Sequence, residues 1–261
     1  MKGIFNAIKW EFILDVKEYM QYKVGLLLDI IVFTGTYFLI YILGIGQGFT
    51  SFYQIDKKSG DILILIGYIF WQNASTALGY SSAIITGECE TGIFENRLQG
   101  KYSVEVTWFL RLMINCLMHI ITYIGIFAYS MLVFCLNSSD FLYMLDALAI
   151  SFPCLVGMYG IGLILGAICI HEKNIGSLVM IVQTLLLFVS NTLSPSRNDL
   201  VYLIPFSSGI EIVRNLYLQM DVNRNLLFIC IMSNLFWGII GILSFRYAVK
   251  REKENGTFDN Y

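Results

Sequence analysis

The stretch ILILIGYIFWQNASTALGYSSAIIT, from Ile62 to Thr86, carries no charged side chain from end to end. A helix needs about 20 mostly apolar residues to cross the hydrocarbon layer of a bilayer. Inside that layer each peptide group must be bonded within the helix, since no water can serve it. A surface helix of a soluble domain would show a charged face over such a length, and this stretch has none. Five more runs of the same kind lie around it: Val24–Gly44, Val106–Leu136, Ala147–Ile170, Ile175–Leu193 and Leu226–Phe245. The run from Val106 is too long for one upright crossing, so it is expected to tilt or to begin with a turn. The predicted fold is therefore all-α, a polytopic membrane protein of six transmembrane helices. Residues 1–261 are read as one unit: a lead-in segment 1–23, a bundle 24–245 and a charged tail 246–261.

Composition agrees with this reading. Hydrophobic residues make up 57% of the chain and charged ones 14%, against about 25% charged in a soluble domain. The net charge of −2 offers no basic surface for nucleic acid. The cysteines are Cys89, Cys116, Cys135, Cys154, Cys169 and Cys230, with no C-x-x-C pair. They read as small core residues, not as a metal or disulfide framework. No apolar signal-peptide core stands among the charged residues of the lead-in segment.

Orientation comes from Lys and Arg. Twelve of them fall on the side of the two termini and five on the other, so the positive-inside rule places both termini in the cytoplasm. In the lead-in segment, Phe5, Ile8, Phe12, Val16 and Tyr19 recur at spacings of three and four. On a helix they form one apolar stripe, as in a helix lying in the membrane interface.

After the run ending at Thr86 the chain reads GECETGIFENRLQGKYS, Gly87 to Ser103. Thr91 to Gln99 is helix-compatible, with Thr91 as a candidate N-cap and Gly100 as the closing residue. Ile93, Phe94 and Leu98 give this helix an apolar face, and Glu88, Glu90 and Glu95 an acidic one. A short cytoplasmic helix with an apolar face needs a cover, either its own chain or a docking partner.

This segment resembles the acidic motif after the second span of the ABC type-2 exporter permeases. The stretch LIPFSSGIEIVRNLYLQ, Leu203 to Gln219, resembles that family's proline-to-arginine pattern before the sixth span. The plan of lead-in helix, six spans and charged tail is similar as well. One departure is the absence of a proline in the turn Gln99 to Ser103, where Gly100 takes its place. The resemblance implies a coupling helix at Glu88, Glu90, Gly92, Ile93, Phe94, Glu95 and Leu98 that rests on an ATPase. It implies an external re-entrant helix marked by Pro205, Glu211 and Arg214. The partners it implies are two copies of an ABC ATPase subunit and a second permease chain, in a homodimer or a heterodimer, in a cell membrane of bacterial type.

The chain has no Gly-x-x-x-x-Gly-Lys phosphate loop; five places before Gly100 stands Glu95. No catalysis and no cofactor is expected of it, ATP and Mg being bound by the partner ATPase. Polar residues within the spans are candidates for a cargo pathway: Gln72, Asn73, Asn115, His119, Gln183 and Asn234. Taken singly, each is as well explained by bonding between helices. Asp29 is expected to pair with a cation such as Arg111 or to reach the interface, and Gly162 and Gly166 to mark a packing face. Two other functions compete with this one. A secondary transporter would show internal repeats, and residues 24–136 do not repeat in 147–245. An intramembrane hydrolase would need a nucleophile in register with His119. Drugs, peptides and lipid-linked molecules all fit the cargo class that the resemblance implies.

Overall fold

A computed structural model of the chain describes residues 9, 10, 12, 13, 16, 17, 21, 23–100, 102–134, 137–172, 175–196 and 198–255. Among them every regular element is helical. In chain order these are α1 (Lys23–Ile42), α2 (Gly46–Tyr53), α3 (Lys57–Glu90), α4 (Ile93–Leu98), α5 (Val104–Met118), α6 (Ile120–Phe134), α7 (Ser138–Glu172) and α8 (Gly176–Val189). A 3-10 turn (Asp199–Leu203), α9 (Ser207–Tyr217) and α10 (Arg224–Asn255) follow. The amphipathic stripe expected of the lead-in segment lies mostly outside the described residues, as do the side chain of Asp29 and the end of the tail.

Four helical segments are long and apolar enough to cross a membrane: Lys57–Glu90, Val104–Ala128, Ser139–Glu172 and Arg224–Glu254. Helices α1 and α2 make a fifth if counted together across their 54° bend. The run expected at Ile175–Leu193 forms a helix only over Gly176–Val189. Its 14 residues rise about 21 Å, short of the roughly 30 Å of a bilayer core. The helix stops because the backbone turns extended at Ser190, and the next two carbonyls bond to a distant arginine instead of continuing the ladder. The over-long run at Val106–Leu136 is divided by a break at His119, between α5 and α6.

Helix α3 starts where Asp56 accepts from the backbone N–H of Ser59 at 3.2 Å, an N-cap. Helices α3 and α7 form the centre of the bundle and are buried along most of their apolar length, 78% for α3 and 67% for α7. For α10 the figure is 28%, so most of that helix faces outward. The glycines of α7 are divided between its two neighbours. Gly162 and Gly166 lie against Ser81 and Ile85 of α3. Gly160 lies against Gly241 and Trp237 of α10, where an added Cβ would stand 2.1 Å from the Trp237 carbonyl. Only two bare backbones fit at that crossing.

The bundle has two distinct ends. At one, α4 joins the last turn of α3 to the first of α5, and His171 Nδ1 lies 3.3 Å from Glu252 Oε1. At the other, Lys58 pairs with Asp140 at 3.3 Å, and α2 and α9 close over the start of α3.

Candidate functional site

At the first end the chain must reverse between α3 and α5. Thr91 does not cap α4. Its hydroxyl donates to the Gly87 carbonyl at 2.7 Å and so closes α3. The cap position of α4 falls to Gly92, with φ +68°, a left-handed conformation that glycine adopts without a Cβ clash. The six residues that follow, Ile93–Leu98, are sorted sharply. Phe94 is 2% exposed, stacked on Trp108 with centroids 5.9 Å apart and set edge-on to Phe245 at 6.3 Å. Ile93 is 49% exposed, Glu95 and Glu90 are exposed, and Leu98 is half-buried.

Glu88 corrects the expected acidic face, because it points inward. Its Oε1 accepts from Trp108 Nε1 at 3.1 Å and lies 2.8 Å from Arg97 Nε and 3.8 Å from Arg111 Nη1. A buried carboxylate requires such cations around it. Glu88 therefore ties α3, α4 and α5 together, and Phe94 ties α4 to α5 and α10 in apolar chemistry. The outward-facing set is Glu90, Ile93 and Glu95. Sequence reasoning missed Trp108, Phe245 and the pair of Arg246 Nε with Glu105 Oε1 at 2.6 Å. Nothing in the local pattern marks them, since each partner lies on a different helix.

The polar residues within the bundle are mostly engaged. Asn73 accepts from Tyr123 Oη at 2.6 Å and donates to Ser151 Oγ at 2.6 Å, linking α3, α6 and α7. The Gln183 side chain donates to the Ser75 carbonyl at 2.9 Å, and the Gln183 main-chain carbonyl accepts from Trp71 Nε1 at 3.2 Å. Asn234 donates to the Pro205 carbonyl at 2.8 Å and accepts from the Gly157 N–H at 3.2 Å. These three act as bonds between elements. His119, at the α5–α6 break, is buried and set edge-on to Phe33, with centroids 6.4 Å apart. Asn115, one turn earlier, is half-buried. Gln72 is fully buried, and neither side-chain polar atom has a partner among the described residues.

At the second end, Glu211 and Arg214 share a helix but do not bond to each other. Glu211 accepts from Tyr53 Oη at 3.1 Å and from Asn191 Nδ2 at 2.6 Å. Arg214 is fully buried. Its Nε and Nη2 donate to the Leu63 carbonyl at 3.1 and 3.0 Å, Nη1 to the Asn191 carbonyl and Nη2 to the Thr192 carbonyl at 3.0 Å. Its Cζ lies 4.4 Å from the centre of the Phe49 ring. Burial lowers its pKa from 12.5 to about 10, so it remains a cation at neutral pH. One side chain thus fastens α9, α2, the start of α3 and the loop after α8. Pro205, just before α9, is buried against Gly157 of α7.

No protein-family model matches the chain, and no curated protein matches it.

Proposed function

We propose that the chain is the transmembrane permease subunit of an ABC-type exporter. It works paired with a second permease chain and is driven by two copies of a separate ATPase. In this reading there are six crossings: α1 with α2, α3, α5 with α6, α7, the short α8, and α10. An even number returns the tail to the side of the amino terminus, in keeping with the Lys and Arg distribution. That side is the cytoplasm of a cell, bacterial by the family resembled, and α9 lies at the outer face as a re-entrant helix.

The observation that carries the reading is the division of α4 into two faces. Inward, Phe94 and the nearby Glu88 hold α3, α5 and α10. Outward, Glu90, Ile93 and Glu95 present an apolar centre flanked by two acids. An ATPase surface with a basic rim and a small apolar socket suits that face. Its movement on closing around ATP would pass through α4 into the spans, shifting the bundle between two states. A cleft of about 370 Å³ between α3 and α8, lined by Ser82, Thr86, Glu90 and Val179, opens at the same end and is a fitting entry for an amphipathic drug, peptide or lipid-linked cargo.

The test uses the tagged full chain co-expressed with ABC ATPases of its source cell. Wild type should retain an ATPase on purification, and vesicles carrying both should move a hydrophobic drug or peptide only with ATP. Glu90→Lys together with Ile93→Asp should abolish retention. Transport by the chain alone without nucleotide would refute the proposal. So would labelling of Ile93→Cys by an impermeant maleimide from outside intact cells.

A further inference from the structure

Two cavities meet at Glu105. One, of about 480 Å³, opens at the α4 end and is lined by Tyr102, Ser103, Glu105, Arg246, Lys250 and Lys253 among others. The other, of about 260 Å³, is an apolar groove between α5, α7 and α10, with Val106, Phe109, Tyr159, Leu235 and Ile239 on its walls and Glu105 at its end. We infer that the two form one binding site for an anionic phospholipid, with its phosphate among Arg246, Lys250 and Lys253 and one acyl chain in the groove.

Charge decides the headgroup. The upper cavity has three cations and one acid, and that acid is already occupied: Glu105 accepts from Arg246 Nε on one oxygen and from Ser103 Oγ on the other. Only Nε of Arg246 is used, so both terminal nitrogens of its guanidinium are without a partner among the described residues. Their fork is suited to a phosphate. The Lys253 ammonium likewise has no partner among them, and Lys250 is held only by Glu254 at 3.7 Å. The Arg246 and Lys250 side chains are 61% and 76% exposed, so an incoming headgroup reaches them without breaking the fold.

Length decides the tail. Along α10, the helix from Leu235 to Arg246 rises about 16 Å. Half of a bilayer core is about 15 Å. The groove's own residues on α10, Leu235 to Ile242, cover about 10 Å of that rise, and the cations stand just beyond them where the apolar face of α10 ends, so the groove takes the upper part of one acyl chain with its head at the interface. A soluble phosphate would fill the upper cavity and leave the groove empty. The site also touches Leu98, the last residue of α4, and Gly100 just beyond it, so its occupant would brace the α4–α5 turn. None of this depends on what the bundle transports.

The test is native mass spectrometry of the full chain in detergent with added dioleoylphosphatidylglycerol, dioleoylphosphatidylcholine or glycerol 3-phosphate. Wild type should hold one phosphatidylglycerol at least about tenfold more tightly than phosphatidylcholine. Lys250→Gln with Lys253→Gln, which leaves the Glu105–Arg246 pair in place, should lower that affinity about 25-fold, from about fivefold per cation at an anionic head. Lys250→Arg with Lys253→Arg should keep it. Leu235→Trp should lower it about tenfold, the equivalent of two methylenes displaced from the groove. Equal retention of both lipids by wild type would overturn the inference, and so would unchanged retention by Leu235→Trp. Displacement of phosphatidylglycerol by equimolar glycerol 3-phosphate would assign the upper cavity to a free phosphate and overturn it as well.

Discussion

Replacing Arg214 by methionine tests the architecture at its most concentrated point. The change keeps an unbranched side chain of similar length and removes every donor. The carbonyls of Asn191 and Thr192 lie in a turn, and each loses its Arg214 hydrogen bond. Leaving a buried polar group unpaired costs about 1–3 kcal/mol. The Leu63 carbonyl loses less, because it belongs to the ladder of α3. The contact with the Phe49 ring is worth up to about 2 kcal/mol in a dry site. Against these stands relief of the cost of holding a cation out of water. The net is about 3–5 kcal/mol, the range found when one member of a buried charged network is removed. At roughly 2–4 °C per kcal/mol for a chain of this size, the melting temperature should fall by about 10 °C. The readout is intrinsic fluorescence of the detergent-solubilised chain during a thermal scan. Arg214→Lys should recover about half the loss, since a single ammonium cannot span three carbonyls. A methionine variant melting within about 2 °C of wild type would refute the account of this end of the molecule.

Asn73→Leu removes the bonds to Tyr123 and Ser151 and should cost about 1–2 kcal/mol, given the modest strength of such bonds within membranes; the same thermal scan measures it. Gly160→Leu places a side chain against the Trp237 carbonyl and must drive α7 from α10, so size-exclusion chromatography should show loss of the monodisperse species. Glu88→Gln should destabilise the chain by about 3 kcal/mol through its stranded cations, while the exposed Glu90→Gln should stay within about 0.5 kcal/mol in parallel melts. Burial holds the Arg214 pKa at about 10 against an ordinary 12.5. A base with a lowered folded pKa binds fewer protons folded than unfolded, so this group adds stability only as pH rises from about 10. Its contribution should be flat between about pH 6 and 9, and melts of wild type and Arg214→Met across that range should differ by a constant amount.

What the sequence makes legible here is set by the range of the interaction. The spans rest on uninterrupted apolar length, which is local, and four or five of them can be counted in the structure. The end of α8 is not placed by pattern, because Leu193 is as apolar as Leu186. What stops the helix is the guanidinium of Arg214, far along the chain on α9, bonding to Asn191 and Thr192. The same distance governs Glu211 and Arg214. Three places apart on a helix, they suggest an ion pair, yet each finds partners on other elements. Glu88 reads as outward-facing because acids in a loop usually meet water. Of the cations around it, Arg97 belongs to the segment where a local reading would look, but Arg111 lies on α5. Gly92 is legible as part of a motif, but its role as the left-handed hinge appears only with its φ of +68°.

These corrections alter how a push on α4 would travel. Had Glu88 and Phe94 faced a partner, α4 would be a loosely tethered pad. With both locked inward, α4 is instead an extension of α3, whose 34 residues run unbroken from Lys57 to Glu90. Leu63, which receives two of the Arg214 donors, sits near the opposite end of that helix from Glu90, separated from it by a rise of about 40 Å. Helix α3 has no proline, and the hydroxyls of Ser81, Ser82 and Thr86 bond back onto its own carbonyls. In the proposed function, a displacement of α4 would pass along α3 toward the Arg214 cluster, where α2, α9 and the loop after α8 are joined to it. In the proposed function, coupling between the two ends would run along α10, which meets Phe94 at Phe245 and bonds to the Pro205 carbonyl through Asn234, and along α3 with the bonds Arg214 makes to it. Weakening the Arg214 bonds should then loosen the route through α3 and leave the one through α10 in place.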